Sequence, residues 1–343
     1  MSKYVLKYSV LIIAIYLWLQ AYSPFVYKEI GGKLGLFPDD YRYGDLYRLS
    51  LLPQFKERAY ECPHETIPNS ERENIHLFII GDSFTELPKV DIRDFPVNNY
   101  SYVHWGKQSD YQLDTSQRNI LILETVERTF KDHFSEVANN FTNEKIIEGN
   151  LTVKQKVGKK IEEIETNIVP KGTEERLEHT IFNYDFFLWF REIKALINLK
   201  LFNRTEDEVV LSKDKSAIFY EDEADSTNYR SAFYPVNQKE IDLFVANINL
   251  TREKYLTMGF NEVYLSIVPN KVSLYNTNLG KRNYLISRIQ NDKRVEVPII
   301  DVYSHYIKSP KIFYLKSDTH WNCEGRAVWL EKVNLILRNE KQK

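Results

Sequence analysis

The sequence has almost no cysteine. Cys62 and Cys323 are the two in 343 residues, which excludes a multi-bridge disulfide framework and any zinc site built from several thiolates. Two arrangements stay open: a single bridge formed in an oxidising compartment, or two unrelated buried thiols. A surplus of charge is also missing. Lys plus Arg total 46 against 48 Asp plus Glu, a net charge of -2, so the chain carries no electrostatic footprint for nucleic acid. Internal repeats and low-complexity tracts are absent, and the length suits one large α/β domain with an insertion, or two small domains.

What is abundant is aromatic: 14% of residues, with 23 Tyr, 19 Phe and 5 Trp. Such rings stack on sugar faces and equally fill cores. One long apolar run is present, Tyr8 to Tyr22, preceded by Lys3 and Lys7 and followed by Pro24. It reads as a signal peptide or a short membrane anchor. Ala21 and Ser23 have the small-x-small spacing of a cleavage site, but Pro24 would follow the cut directly, which favours retention as an anchor over residues 1–24. The amino-terminal lysines predict that end inside and the bulk of the chain outside the membrane.

Residues 25–74 are rich in Pro, Tyr and charge and read as a wrapping linker. Short apolar runs at 75–80, 119–126, 262–268 and 295–302 predict buried parallel strands. Helical patterns fall at about 107–118, 237–258, 278–291 and 323–338. Strands alternating with helices predict an α/β fold with a parallel sheet covered on both faces, over residues 75–343. Between about 130 and 235 an insertion is expected, with helices at 144–165 and 174–199 and a hairpin around 209–220, serving as a lid or substrate platform.

The first run ends in Gly81-Asp82-Ser83-Phe84. A nucleophilic serine needs a sharp turn at the carboxyl end of a strand, with backbone N–H groups facing the developing oxyanion. Gly81 permits the turn, and a helix starting near Phe84 or Thr85 would aim its positive end at the intermediate. The tripeptide is also ordinary turn chemistry. Near the other end stands Ser317-Asp318-Thr319-His320-Trp321-Asn322. A carboxylate two residues before a histidine can hold its Nδ1–H and leave Nε2 to take a serine proton. The alternatives are a metal pair or an aspartate capping the next helix. Trp321 would pack under the imidazole or line an acyl pocket, and Gly325 would let the following helix approach closely.

Gly-Asp-Ser-Phe early and Asp-Thr-His-Trp-Asn late resemble the first and last blocks of SGNH hydrolases, in the variant of the alginate O-acetyltransferase-like proteins. Residues 123–128 and 268–271 are similar to supporting segments of that group. The motifs cover about a tenth of the chain, in coherent order. Asp-x-His follows the serine here, whereas the alginate enzymes place it before. One residue stands between Asp318 and His320, where ordinary members have two. A Gly-x-Asn-Asp block is missing. The resemblance implies a three-layer α/β/α, flavodoxin-like fold and a triad of Ser83, Asp318 and His320. Asp82, Asn98, Asn99, Arg128, Lys271 and Trp321 are the oxyanion or substrate candidates. For Asn98 and Asn99 a turn is the competing role, for Arg128 a carboxylate pair, and for Lys271 a solvated loop.

The activity implied is extracytoplasmic O-acetyl transfer to a polysaccharide acceptor, with no bound cofactor and with an integral membrane acyltransferase as acyl donor. The rivals are a carbohydrate acetylesterase with the same triad and a catalytically silent scaffold in a polysaccharide-export complex.

Overall fold

Leu77, Phe78, Ile79 and Ile80 leave no polar side chain for either face of a strand, so that strand must be covered on both sides. The computed structural model, which describes residues 3–32, 38–142, 172–275 and 280–338, builds it so. Strand β1 (Glu73–Gly81) is flanked by β2 (Val97–His104) and β3 (Arg118–Val126), and β3 by β4 (Glu262–Val268), in the order β2-β1-β3-β4. All three pairings are parallel. Alternate residues feed two cores. Phe78, Ile80, Leu121 and Leu123 pack with Phe130 of helix α2 (Glu127–His133) and with Phe244 and Ile248 of α5 (Gln238–Thr257). Leu77, Ile79, Ile120 and Ile122 pack with Trp329 and Val333 of α6 (Cys323–Leu337). The molecule is therefore an α/β protein with helices on both faces of a parallel sheet.

The chain divides into two compact units: Met1–Ala59 with Ile146–Thr205, and Tyr60–Lys145 with Glu206–Lys343. The second holds the sheet. In the first, the apolar helix α1 (Lys3–Tyr22) is long and apolar enough to cross a membrane. It packs against α3 (Thr173–Phe182), which is followed by α4 (Asp185–Phe202). Residues 25–74, read as a linker, include the helix Asp45–Ser50 and bury Leu46, Tyr47, Leu52 and Phe55. The hairpin forms from Val209–Leu211 and Ile218–Tyr220, and the helix expected at 144–165 lies outside the described residues.

Two expectations fail for local reasons, and one strand was not expected. Residues 107–118 are turns around a two-residue strand, Ser109–Asp110; the Asp114 carboxylate takes the N–H and hydroxyl of Ser116 at 2.9 and 2.6 Å, a local bond that competes with helix. Residues 295–302 meet the sheet only through the pair Leu265 and Ile299, because Pro298 has no N–H for a ladder. The edge strand β2 is not among the expected strands, since Asn98, Asn99 and Ser101 break its apolar pattern.

Cys62 and Cys323 form a disulfide with Cα atoms 5.3 Å apart, fastening the entry to the sheet unit onto the first turn of α6. Serine at either position is expected to lower the unfolding free energy by about 2–4 kcal/mol, read from urea denaturation followed by the emission of buried Trp321 and Trp329. An unchanged midpoint would contradict the bridge.

Candidate active site

The site begins where β1 ends. A Cβ on Gly81 would lie 2.1 Å from Thr85 Oγ1 and 3.0 Å from Glu124 Oε2, so glycine is needed there for close approach. The next residue spends its polar atoms on the turn. One Asp82 carboxylate oxygen accepts the Phe84 N–H at 3.0 Å and the other the Val126 N–H at 2.8 Å, joining β1 to the end of β3. Its carbonyl accepts the Tyr102 hydroxyl at 2.9 Å and the amides of Thr85 and Glu86. From β3, Glu124 Oε2 accepts the Asp82 N–H at 3.0 Å and the Thr85 hydroxyl at 2.8 Å. Asp82 thus shapes the turn. The Ser83 N–H makes no hydrogen bond among the described residues, which leaves it as the turn's unspent donor.

The helix expected after Ser83 does not form. The chain makes one turn on the Asp82 carbonyl, and Pro88, with no N–H to donate, ends it. The turn that carries Ser83 therefore supplies no helix N-terminus of its own.

The second half of the site arrives on an irregular loop. Tyr314 and Trp321 pair antiparallel, and Asn322 caps α6 by accepting the Gly325 N–H at 3.0 Å. Between them, Asp318 Oδ1 lies 2.5 Å from His320 Nδ1 and accepts the His320 N–H at 2.9 Å. His320 Nε2 lies 2.9 Å from Ser83 Oγ, 237 positions away in the chain. Phe84 packs against the imidazole with centroids 4.8 Å apart, and Trp321 stands edge-on to Phe84 at 5.1 Å. Trp321 therefore supports the ring through Phe84 and is itself buried.

Lys271, read as touching substrate or solvent, does neither with its ammonium. It is 5% exposed and donates to the carbonyls of Leu315, Lys316 and Asp318 at 2.8, 2.9 and 3.1 Å. From the segment after β4 it fixes the backbone that carries the aspartate. Arg128 pairs with buried Glu223 at 2.6 Å, and its guanidinium stands 5.9 Å from the Phe84 ring centroid. Its N–H goes to Asn270 Oδ1 at 3.1 Å, while Glu127 accepts the Asn270 N–H at 3.0 Å, linking the ends of β3 and β4.

Asn98 and Asn99 lie elsewhere. Asn99 pairs with His76, whereas Gly81 pairs with His104; five residues of strand put it about 16 Å from the nucleophile turn, and its amide bonds Gln117 at 2.9 Å. Neither can donate to an oxyanion at Ser83. Sequence reading missed Arg326, buried in α6, which donates to Asp94 at 2.6 Å, to the Pro63 carbonyl at 3.1 Å and to the Lys89 carbonyl at 2.8 Å. It ties the return of the loop after Ser83 to α6. Its partners are far apart in sequence, so no local signal exposes it. The same guanidinium meets two members of the cluster of His64, Asp91 and Asp94, His64 Nδ1 at 3.1 Å and Asp94 at 2.6 Å, while Arg93 pairs with Asp91.

No family model, curated protein or solved structure matches this chain. The site is read from its own geometry.

Burial first, and the negative charge of Asp82 second, hold the Glu124 carboxyl well above the ordinary glutamate value of 4.5. A raised folded-state pKa gives stability that is fully present below the unfolded value and lost as pH rises through the folded one. Glu124→Gln keeps an acceptor for Asp82 and Thr85 but cannot ionise. Its stability relative to the parent should therefore rise with pH above 4.5, with a limiting slope of about 1.4 kcal/mol per pH unit. A pH-independent difference between the two denaturation curves would refute the shift.

Proposed function

We propose that this chain is a membrane-anchored serine O-acetyltransferase of the SGNH-hydrolase type, working outside the cytoplasm on a polysaccharide. The observation that carries the reading is the contact of 2.9 Å between Ser83 Oγ and His320 Nε2, with Asp318 on the far side of the ring. A serine bonded to an imidazole whose other nitrogen faces a carboxylate is the arrangement that makes a hydroxyl nucleophilic.

His320 Nε2 takes the Ser83 proton as Oγ attacks the acyl carbonyl, and returns it to the leaving group as the acyl-serine forms. A sugar hydroxyl then gives its proton to the same nitrogen and attacks the acyl-serine; the Oγ–acyl bond breaks, the imidazolium returns the proton to Ser83 Oγ, and the sugar leaves as the ester. Asp318 fixes the tautomer and stabilises the imidazolium. The Ser83 amide is the oxyanion donor this chain offers. The family resemblance supplies the acetyl group and an integral membrane acyltransferase as its source. The parallel sheet with helices on both faces supports that resemblance, and the disulfide, of a kind that persists in oxidising compartments, supports a site outside the cytoplasm. Helix α1 with Lys3 and Lys7 before its apolar run supports an anchor with its amino terminus inside.

With an acetylated ester donor and a glycan acceptor, Ser83→Ala and His320→Ala are each expected to remove about 10⁴–10⁶ of the turnover, with little further loss in the double variant. Asp318→Asn should cost about 10⁴. Independent, multiplicative losses would break the triad reading. Release of acetate alone, with glycan in excess, would instead make water the acceptor and the protein an esterase.

Lys271→Met should release the 315–318 backbone and lower kcat by about 10–100-fold with KM little changed. The rate at which a serine-directed phosphonate labels Ser83 should fall in step. Unchanged labelling would show that the lysine has no part in placing the triad.

A further inference from the structure

The insertion helix α4 is amphipathic in an inverted sense. Leu188, Glu192, Ala195 and Leu199 form its buried stripe, and Glu192 there accepts the Tyr47 hydroxyl at 2.5 Å within the same unit. On the other side stand Phe186, Trp189, Phe190, Ile197 and Leu201, exposed by 66, 54, 50, 45 and 74%. At about 100° per residue these five fall within an arc of about 120°, with Lys200 inside it and Lys194 on its rim, both exposed. A packed core has no use for such a face, and water penalises it.

What covers it is indicated by the rest of its unit. Helix α1, of membrane-spanning length, packs along α3, and Arg176 of α3 donates to the carbonyl of Ala21, near the carboxyl end of α1, at 2.8 Å. Tyr27, five residues past α1, bonds His179 of α3 at 2.7 Å. Helix α3 is thus fastened where α1 ends, at the level of a membrane surface, and α4 begins three residues after α3 closes. Phe and Trp beside lysines whose stems reach past apolar surface are the composition of a helix lying among lipid headgroups. In the sheet unit, by contrast, none of the described helices shows more than two large exposed apolar residues, Leu243 and Leu250 on α5, while Leu87 and Ile312 stand alone in loops.

We propose that the exposed face of α4 is a second membrane contact, seated in the headgroup zone of the bilayer that α1 crosses. This rests on the anchor reading of α1 and assigns the insertion to the lipid surface in place of a lid or substrate platform. Lys194 and Lys200 favour anionic lipid. The contact orients the first unit on the membrane, which a single helix, free to rotate about its axis, does not do.

The test uses the full chain in vesicles of mixed zwitterionic and anionic phospholipid. Its own cysteines are bridged, so one added cysteine takes an environment-sensitive fluorophore alone. Labels at Trp189→Cys and, separately, Ile197→Cys should show blue-shifted emission and be quenched several-fold more by a nitroxide near the headgroup than by one deep in the acyl chain. Ile13→Cys, in α1, should show the opposite depth preference, and Leu243→Cys should be quenched only by aqueous iodide. Iodide quenching at both 189 and 197, with Ile13→Cys still deep, would overturn the α4 contact alone. Loss of lipid quenching at Ile13→Cys would overturn the anchor. Protection of 189 and 197 from both quenchers, growing with the protein-to-lipid ratio, would assign the face to a second copy and also overturn the proposal.

Discussion

The proposed chemistry depends on a line of hydrogen bonds from Asp318 through the imidazole of His320 to Ser83, and a line of that kind is only as good as its ends are still. A displacement of about 1 Å is enough to cost 10²-fold in an oriented reaction. Both ends here lie on irregular backbone, where regular structure gives no rigidity. The stillness comes from buried polar groups recruited from other strands. Asp82 and Glu124 hold the serine turn from within the sheet, Lys271 holds the aspartate loop from the end of β4, and Arg326 joins the two regions from α6.

These groups carry a desolvation cost that hydrogen bonding offsets in large part. An ammonium at 5% exposure is tolerable because three carbonyls face it. Glu124 solves the same difficulty differently. Beside the Asp82 carboxylate it keeps its proton to higher pH, so two carboxyl groups share a buried site without two full charges. Arg128 and Glu223 use the third solution, an ion pair at 2.6 Å, whose value lies in fixing the chain more than in net stability.

The two units are built on opposite rules. The sheet unit hides its apolar residues on both sides of four strands and spends polar ones at strand ends, where the sheet delivers its loops. The unit containing α1 buries a glutamate and a tyrosine hydroxyl between its helices and turns phenylalanine and tryptophan outward. The first is the pattern of a protein surrounded by water, and the second is the one that the proposed lipid contact would account for.

The residues alone determined what depends on neighbours in the chain. The apolar runs at 75–80, 119–126 and 262–268 became sheet strands because a run of that length so rich in apolar residues has few other ways to leave water, and the helices expected at 237–258 and 323–338 form to within a residue of those bounds. Gly81-Asp82-Ser83 and Asp318-x-His320 were legible because an imidazole bound to a carboxylate two residues back is a local arrangement. Tertiary structure decided the rest: that these motifs meet across 237 positions, that Cys62 finds Cys323, that Lys271 faces carbonyls and Asn99 the wrong end of the sheet, and that Arg326 belongs to the site. Each of these turns on which strand ends and loops the parallel sheet gathers at one edge. That is settled by packing between residues far apart in the chain, for which no local pattern exists.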